Sequence, residues 1–276
     1  MLEKEKVFNM ISVLIRAGND DRVFDCIASI KKTAPNSKIK ISVLANKALE
    51  KEIAKLRIKY CIVPKENISL TTNKGLELIK DSKVLITDSD TIFDKNCIKL
   101  LDKSLEKYEV VKPQIIFKNN GSITSILVAN LRKYFNSKNN KMFTPGLAFR
   151  MSIKNKMGGY YFDNKVTWSE DSEFSNRVEL AKLKTFVEKR ARLFHPPVSL
   201  KHDLGGAFLI GAKKPENKSF MEIVIKRFTT LFEILRDFGL PTFVYSLVWY
   251  LFFDFGKITK RLGRSGKKIQ SYFWKL

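Results

Sequence analysis

Cysteine is scarce in this chain of 276 residues: Cys26, Cys61 and Cys97 are its only three, widely spaced and odd in number. They complete no disulfide framework and match no zinc spacing, so a reducing, cytoplasmic compartment is expected. Acidic residues are also few, 28 against 51 basic ones, which leaves a formal net charge of +23. That excess fits anionic partners: nucleotide phosphates, nucleic acid or a negatively charged membrane surface. The first residues, Met1-Leu-Glu-Lys-Glu-Lys, lack the apolar stretch of a signal peptide. No internal repeat emerges. Histidine occurs only at positions 195 and 202.

Apolar residues are not lacking. They make up 44% of the chain, and 12% is aromatic, which sets disorder by composition aside. The length suits one domain with an appendage, or two domains.

Strand-like and helix-like segments alternate through the first half. Strands are predicted over 7–15, 38–44, 60–63 and 83–88, and helices over 21–32, 47–57, 73–80 and 94–105. Further strands are predicted over 110–117, 146–150 and 183–188, with helices over 122–135 and 170–181. This rhythm indicates an α/β domain with a mostly parallel sheet, in which ligands bind beyond the carboxyl ends of the strands.

One such end carries Asp88-Ser89-Asp90. Buried strands accept Val, Leu and Ile, as in residues 84–86, but two carboxylates need a cationic partner. Positions i and i+2 share a side of a strand, so Asp88 and Asp90 are predicted to converge on one hard cation, Mg²⁺ or Mn²⁺. The alternative is an ordinary strand-to-loop turn, where Asp and Ser are common.

Near residue 213 the rhythm changes to apolar helical segments interrupted by basic residues. Ile225, Phe228, Leu231, Phe232 and Leu235 fall on one helical face. Residues 238–253 contain no charge, but 16 helical residues rise only about 24 Å, less than a hydrocarbon core. Residues 257–276 hold seven basic residues and no acidic one, with Tyr272, Phe273 and Trp274 near the end. Basic groups attract anionic lipid and aromatic rings settle at the interface, so peripheral membrane attachment is expected. The alternatives are an internal or oligomerisation role for these helices, or a true transmembrane span. The expected division is a catalytic domain over 1–212 and a helical tail over 213–276.

These landmarks resemble the family 2 glycosyltransferases and their GT-A fold, a Rossmann-like, mostly parallel mixed sheet flanked by helices. The resemblance rests on Ile11-Ser-Val-Leu-Ile15, Cys26-Ile-Ala-Ser-Ile30, Asn73-Lys-Gly75, Asp88-Ser-Asp90, Gly146-Leu-Ala-Phe-Arg150, Gly158-Gly159, Asp163, Trp168 and Glu170-Asp171, in that order. It implies an inverting, metal-dependent hexosyltransferase that takes a sugar from a nucleotide-diphosphate donor, a UDP-sugar being favoured. Asp88 and Asp90 would hold Mn²⁺ or Mg²⁺ on the diphosphate, and His202 is the better placed of the two histidines to join them, ahead of Gly205-Gly206, expected to be flexible. His195 is expected to be structural. Asp171 would be the general base and Glu170 would orient the acceptor or the helix start. The alternative for both carboxylates is a favourable place on a helix dipole. Arg16, Asn19, Asn46, Asn73, Ser89, Gly158 and Gly159 are expected at the donor, and Trp168 at the acceptor.

The chain also departs from the family pattern. Arg16-Ala-Gly-Asn19 replaces the usual Pro-x-x-Asn-like loop, and Leu44-Ala-Asn46 lacks the Asp that contacts the nucleobase. The Gln-x-x-Arg-Trp motif of processive synthases is absent, which favours transfer of one sugar per encounter. The expected acceptor is a lipid-linked saccharide or surface glycan at the cytoplasmic membrane face, in polysaccharide biosynthesis. One rival is a transferase for soluble or protein acceptors, with the tail as a dimer interface. Another is a basic nucleic-acid-binding α/β protein, for which no nucleic-acid signature is present.

Overall fold

The structure, a computed structural model, describes residues 11–18, 20–35, 39–44, 47–63, 67–138, 141–166, 169–213 and 220–261. The expected residues Asn19, Asn46 and Trp168, and the basic aromatic end beyond 261, lie outside this set.

The chain separates into two compact units: Met1–Ile116 with Asn140–His195, and Phe117–Asn139 with Pro196–Leu276. This is not the contiguous division at 213 expected from the sequence. The boundary falls earlier, and a helix from mid-chain joins the C-terminal helices.

The first unit is built on one sheet. In chain order its elements are β1 (Ser12–Ala17), α1 (Val23–Thr33), β2 (Ile39–Leu44), α2 (Lys47–Lys55), β3 (Lys59–Val63), α3 (Ile68–Glu77), β4 (Lys83–Asp88), β5 (Ile92–Phe93), α4 (Cys97–Ser104), β6 (Val110–Phe117), β7 (Leu147–Arg150), α6 (Ile153–Lys156), α7 (Glu170–Leu180) and β8 (Thr185–His195). Between β6 and β7 the chain forms α5 (Ile123–Lys138), of the second unit. The strand order is β3-β2-β1-β4-β7-β6-β8-β5. The first four strands run parallel; β7 is antiparallel to β4 and to β6, and β5 to β8. The mixed α/β sheet expected from the sequence is therefore present, with its parallel half formed by the regular alternation.

Central strands carry unbroken apolar runs because helices cover both faces of a parallel sheet. Val13, Leu14 and Ile15 of β1 and Val84, Leu85 and Ile86 of β4 are all fully buried. Helix α1 turns Val23, Cys26, Ile27 and Ile30 inward at helical spacing. Asn67 caps α3 by accepting from the backbone N–H of Ser69 at 2.8 Å, typically worth about 1 kcal/mol. The rings of Phe149 and Phe174 lie 5.4 Å apart, and those of Phe162 and Phe174 5.1 Å, which fixes α7 against β7. Cys26 and Cys97 are buried free thiols and Cys61 a half-buried one; burial raises all three thiol pKa values, that of Cys26 to about 12.

The second unit is helical: α5, α8 (Leu200–Lys213) and α9 (Phe220–Arg261). Gly205 and Gly206, expected to be flexible, lie inside α8. Helices α8 and α9 pack backbone to backbone. A Cβ on Gly211 would overlap the carbonyl of Phe253, and one on Gly256 the carbonyl of Phe208. Asp203 of α8 is buried between two donors, Arg132 Nε at 2.5 Å and the Tyr245 hydroxyl at 2.6 Å.

Helix α9 is not one rod. At Gly239 the backbone is non-helical (φ 79, ψ 176), and Pro241 follows. Arg227 donates to both carboxylate oxygens of Asp254, at 2.6 and 2.8 Å, and its guanidinium lies 4.7 Å from the Tyr250 ring centre. In a continuous helix those residues would stand about 40 Å apart. The two limbs, 220–238 and 240–261, therefore fold back on each other as a hairpin. Ile225, Phe228, Phe232 and Leu235, the face marked as apolar in the sequence, are exposed, while Ile234 is buried.

Candidate active site

In the first unit, β1 and β4 place Arg16 and Asp88 side by side, as partners in the parallel register. Arg16 is buried, and its guanidinium is fully engaged. Its Nε and Nη2 donate to Asp88 Oδ1 at 2.9 and 2.5 Å, its Nη1 to Glu170 Oε1 at 2.8 Å, and its Nη2 also to Thr144 Oγ1 at 3.0 Å. Burial disfavours the charge, but Asp88 and Glu170 outweigh it and raise the pKa. Arg16, expected at the donor, thus forms an internal tie between the β4 carboxylate and the start of α7. Glu170, expected to orient an acceptor, is buried on that tie.

Ser169, just ahead of α7, has φ 64 and ψ 32, the left-handed region that costs a non-glycine residue strain. Its Oγ is buried and has no hydrogen-bond partner among the described residues. This turn sends Glu170 into the protein and leaves Asp171 half-buried. Asp171 accepts from the N–H of Ser172 at 2.7 Å. Desolvation, followed by repulsion from Glu170, pushes its pKa up to about 7 despite the pull of Arg16.

Lys112 of β6 is a fully buried lysine that sequence reasoning missed, hidden inside an apolar strand. Its Nζ donates to the Lys141 carbonyl at 2.7 Å and lies 5.8 Å from the Phe143 ring centre. Burial lowers its pKa to about 8, against the attraction of Asp171.

Asp90 has a separate set of neighbours. Its Oδ2 lies 3.5 Å from Arg22 Nη2 and 3.8 Å from His195 Nε2. Its Oδ1 is buried with no partner among the described residues, and burial raises its pKa. Asp20 joins this group: Ser89 Oγ donates to it at 3.1 Å and Arg22 Nε at 2.9 Å. Although burial opposes ionisation of Asp20, the hydrogen bonds from Arg22 hold its pKa low.

The two Asp carboxylates therefore meet different partners, Asp88 the guanidinium of Arg16 and Asp90 that of Arg22 with His195 close by. Among the described residues no group of three or more His, Cys, Asp or Glu side chains is gathered as a metal would need. The orphaned Asp90 Oδ1 nevertheless fits a divalent ion, because a buried carboxylate oxygen without a donor calls for a cation. His195, expected to be structural, is the histidine beside Asp90. His202 is exposed on α8 of the other unit.

The remaining expected residues hold loops. Asn73 Nδ2 donates to the Phe162 carbonyl at 2.7 Å and to Asn164 Oδ1 at 2.8 Å, which ties α3 to the segment before α7. Gly158 and Gly159 have φ of 85 and 88, which explains the glycine pair by backbone conformation, with no obstructing neighbour within van der Waals contact of a Cβ at Gly159. Arg177 of α7 holds their loop by donating to the carbonyls of Met157, Tyr160 and Tyr161. Asp20, Arg22, Thr144 and His195 carried no motif; only the strand register and the chain's return through β8 bring them to the carboxyl ends of β1 and β4.

No family model matches the chain, and no curated protein matches it. Solved structures do. A crystal structure of S. aureus TarS superposes with a TM-score of 0.50 at 18% identity, covering 73% of this chain and 39% of that one. S. aureus TarS 1–349 superposes with a TM-score of 0.54 at 15% identity, covering 83% of this chain and 74% of that one. The chain thus spans well under half of the longer TarS chain. At such identities the likeness shows the fold, and that fold is the GT-A-like α/β fold of glycosyltransferases.

Proposed function

We propose that this chain is an inverting glycosyltransferase that moves one sugar from a nucleotide-diphosphate donor to an acceptor hydroxyl. The likeness to TarS, a glycosyltransferase, supports sugar transfer in general. The observation that carries the finer reading is the division of labour at the start of α7. Glu170 is neutralised by Arg16, whereas Asp171 is half-buried with a pKa near 7. A general base works best when its pKa lies near the working pH. Asp171 takes the proton of the acceptor hydroxyl; the oxygen forms its bond to the anomeric carbon as the bond to the diphosphate breaks, and the diphosphate leaves with the electron pair. One displacement inverts the centre.

Asp90, through its unpartnered Oδ1, would hold a Mn²⁺ or Mg²⁺ ion, with Asp88 and His195 as nearby side chains and phosphate oxygens of the donor supplying the remaining ligands. Such an ion supplies charge stabilisation for a departing diphosphate. Arg16 keeps Asp88 and α7 in fixed register, and Lys112 places positive charge behind Asp171. The acceptor we propose is a lipid-linked saccharide or surface glycan at the cytoplasmic membrane face, with a UDP-sugar as donor. Glu170 and Asn73 serve this reading as positioning residues.

Asp171→Asn tests it. Thermal-shift binding of UDP-sugars with Mn²⁺ should persist, because bound ligand raises stability of the folded state. Transfer should fall by roughly 10²-fold or more, the scale of a lost base. Near-normal transfer by the variant would remove Asp171 from the mechanism.

A further inference from the structure

We propose that the α9 hairpin docks this protein on an anionic lipid bilayer, lying in the plane of the headgroup interface on its two exposed apolar rows. The inference deepens the membrane-face part of the proposed function and rests on it. Sugar transfer itself is independent, so the two can fail separately.

The first limb exposes Met221, Ile225, Phe228, Phe232 and Leu235, with Phe228 71% and Phe232 66% accessible. The second exposes Leu240, Val244, Leu247, Leu251, Phe255 and Ile258. Both rows step by three or four residues, so each is one face of its limb. The opposite faces are occupied within the unit. Ile234 and Tyr245 pack with Val128, Leu131 and Tyr134 of α5, Glu233 accepts from the Tyr134 hydroxyl at 2.6 Å, and Gly256 meets α8. The hairpin is therefore anchored on one side and apolar on the other. Contiguous exposed apolar surface of this kind marks an interaction site.

Charge selects the occupant. From residue 255 to 276 the sequence carries Lys257, Lys260, Arg261, Arg264, Lys267, Lys268 and Lys275, and no acidic residue. The one acidic residue of the second limb, Asp254, is paired with Arg227. A second copy on these rows would bring two such basic runs into one assembly, whereas anionic lipid neutralises them. Charge also selects the geometry. The stretch Met221–Arg261 is long and apolar enough to cross a membrane by length and composition, but it is folded in two at Gly239. Its first limb carries Glu222, Lys226, Arg227, Glu233, Arg236 and Asp237, too many charges for a hydrocarbon core. An amphipathic helix with basic flanks lies in the interface instead.

Vesicle flotation of the full chain tests the proposal. It should float with phosphatidylcholine vesicles containing phosphatidylglycerol, far less with phosphatidylcholine alone, and less as salt is raised. The double variants Phe228→Ser with Phe232→Ser, and Leu247→Ser with Leu251→Ser, should each lower the bound fraction about tenfold with an unchanged melting temperature, since these side chains are exposed. Alkaline carbonate should strip the bound protein. Failure of the full chain to float, or equal flotation of the variants, overturns the docking. Retention in carbonate overturns the in-plane geometry. A parent dimer that the variants turn into monomers without loss of flotation makes the rows a self-association face and overturns it as well. Lack of sugar transfer in a separate assay would sink the enzymatic reading and leave this one standing.

Discussion

Of the eighteen large hydrophobic side chains exposed among the described residues, three lie in the sheet-bearing unit and fifteen in the helical one. The sheet unit hides its apolar residues between helix layers and brings charge to the ends of its strands. The helical unit leaves apolar rows outside and, like the sheet unit, buries a carboxylate, that of Asp203. Each unit contains a buried carboxylate held by an arginine, but the two networks differ in kind. Arg132–Asp203–Tyr245 is satisfied within one helical cluster and has no further task in view. Arg16 reaches Glu170, 154 positions away, and leaves Asp171 beside it, half-buried with a pKa pushed up to about 7. The lesson is that burial of charge alone does not mark a site. A neighbouring group left incompletely satisfied does.

The sharpest way to break this contrast is Arg16→Met. It strands Asp88 and Glu170 without their shared cation, and loss of one partner in a buried ion pair costs about 3–5 kcal/mol. Urea denaturation should show that loss, and Arg16→Lys should not restore it fully because an ammonium lacks the fork that serves both acids. Equal stability of Arg16→Met and the parent would mean that the tie is incidental.

In the helical unit, Gly211→Ala should cost about 1–3 kcal/mol, as overpacking does, because the new Cβ meets backbone that cannot rotate away. Hydrogen exchange should place the loosening in α8 and the second limb of α9. Protection unchanged there would contradict the close backbone packing.

Asp171 yields a pH-dependent effect with a definite sign. Its folded pKa is raised to about 7 from an ordinary 3.8, so the folded state holds the proton more tightly than the unfolded chain. Stability should therefore be lost as pH rises between those values. Asp171→Asn removes that dependence, so the variant should gain on the order of 1–3 kcal/mol over the parent at pH about 8 relative to pH about 4. Melting curves at the two values check it, and a pH-independent difference would refute the raised pKa. Activity should run the opposite way, with an acid limb in kcat/KM near the same pKa.

The smallest effect sharpens the comparison most. Phe232→Ser should change folding stability by less than about 0.5 kcal/mol, the usual range for an exposed position. A loss of several kcal/mol in calorimetry would show that the row belongs to a core.

The alternating segments, the apolar strands β1 and β4 and the order of the acidic motifs were legible because periodicity and local composition set them. So was the helical character after residue 213. The sequence by itself thus determined an α/β layer with carboxylates at a strand end, and apolar helices followed by basic residues. Only the tertiary structure decided what those groups do. Strand register put Arg16 against Asp88 and made it a tie, and the left-handed turn at Ser169 buried Glu170 while leaving Asp171 half-exposed. The return of β8 brought His195 to Asp90, and Lys112 surfaced as a buried cation. Gly239 folded one apolar run into a hairpin and turned its hydrophobic face outward. The reason is physical: periodicity reports which side of an element is apolar, but the partner of a charge, and the surface that receives an apolar face, depend on contacts between residues far apart in the chain.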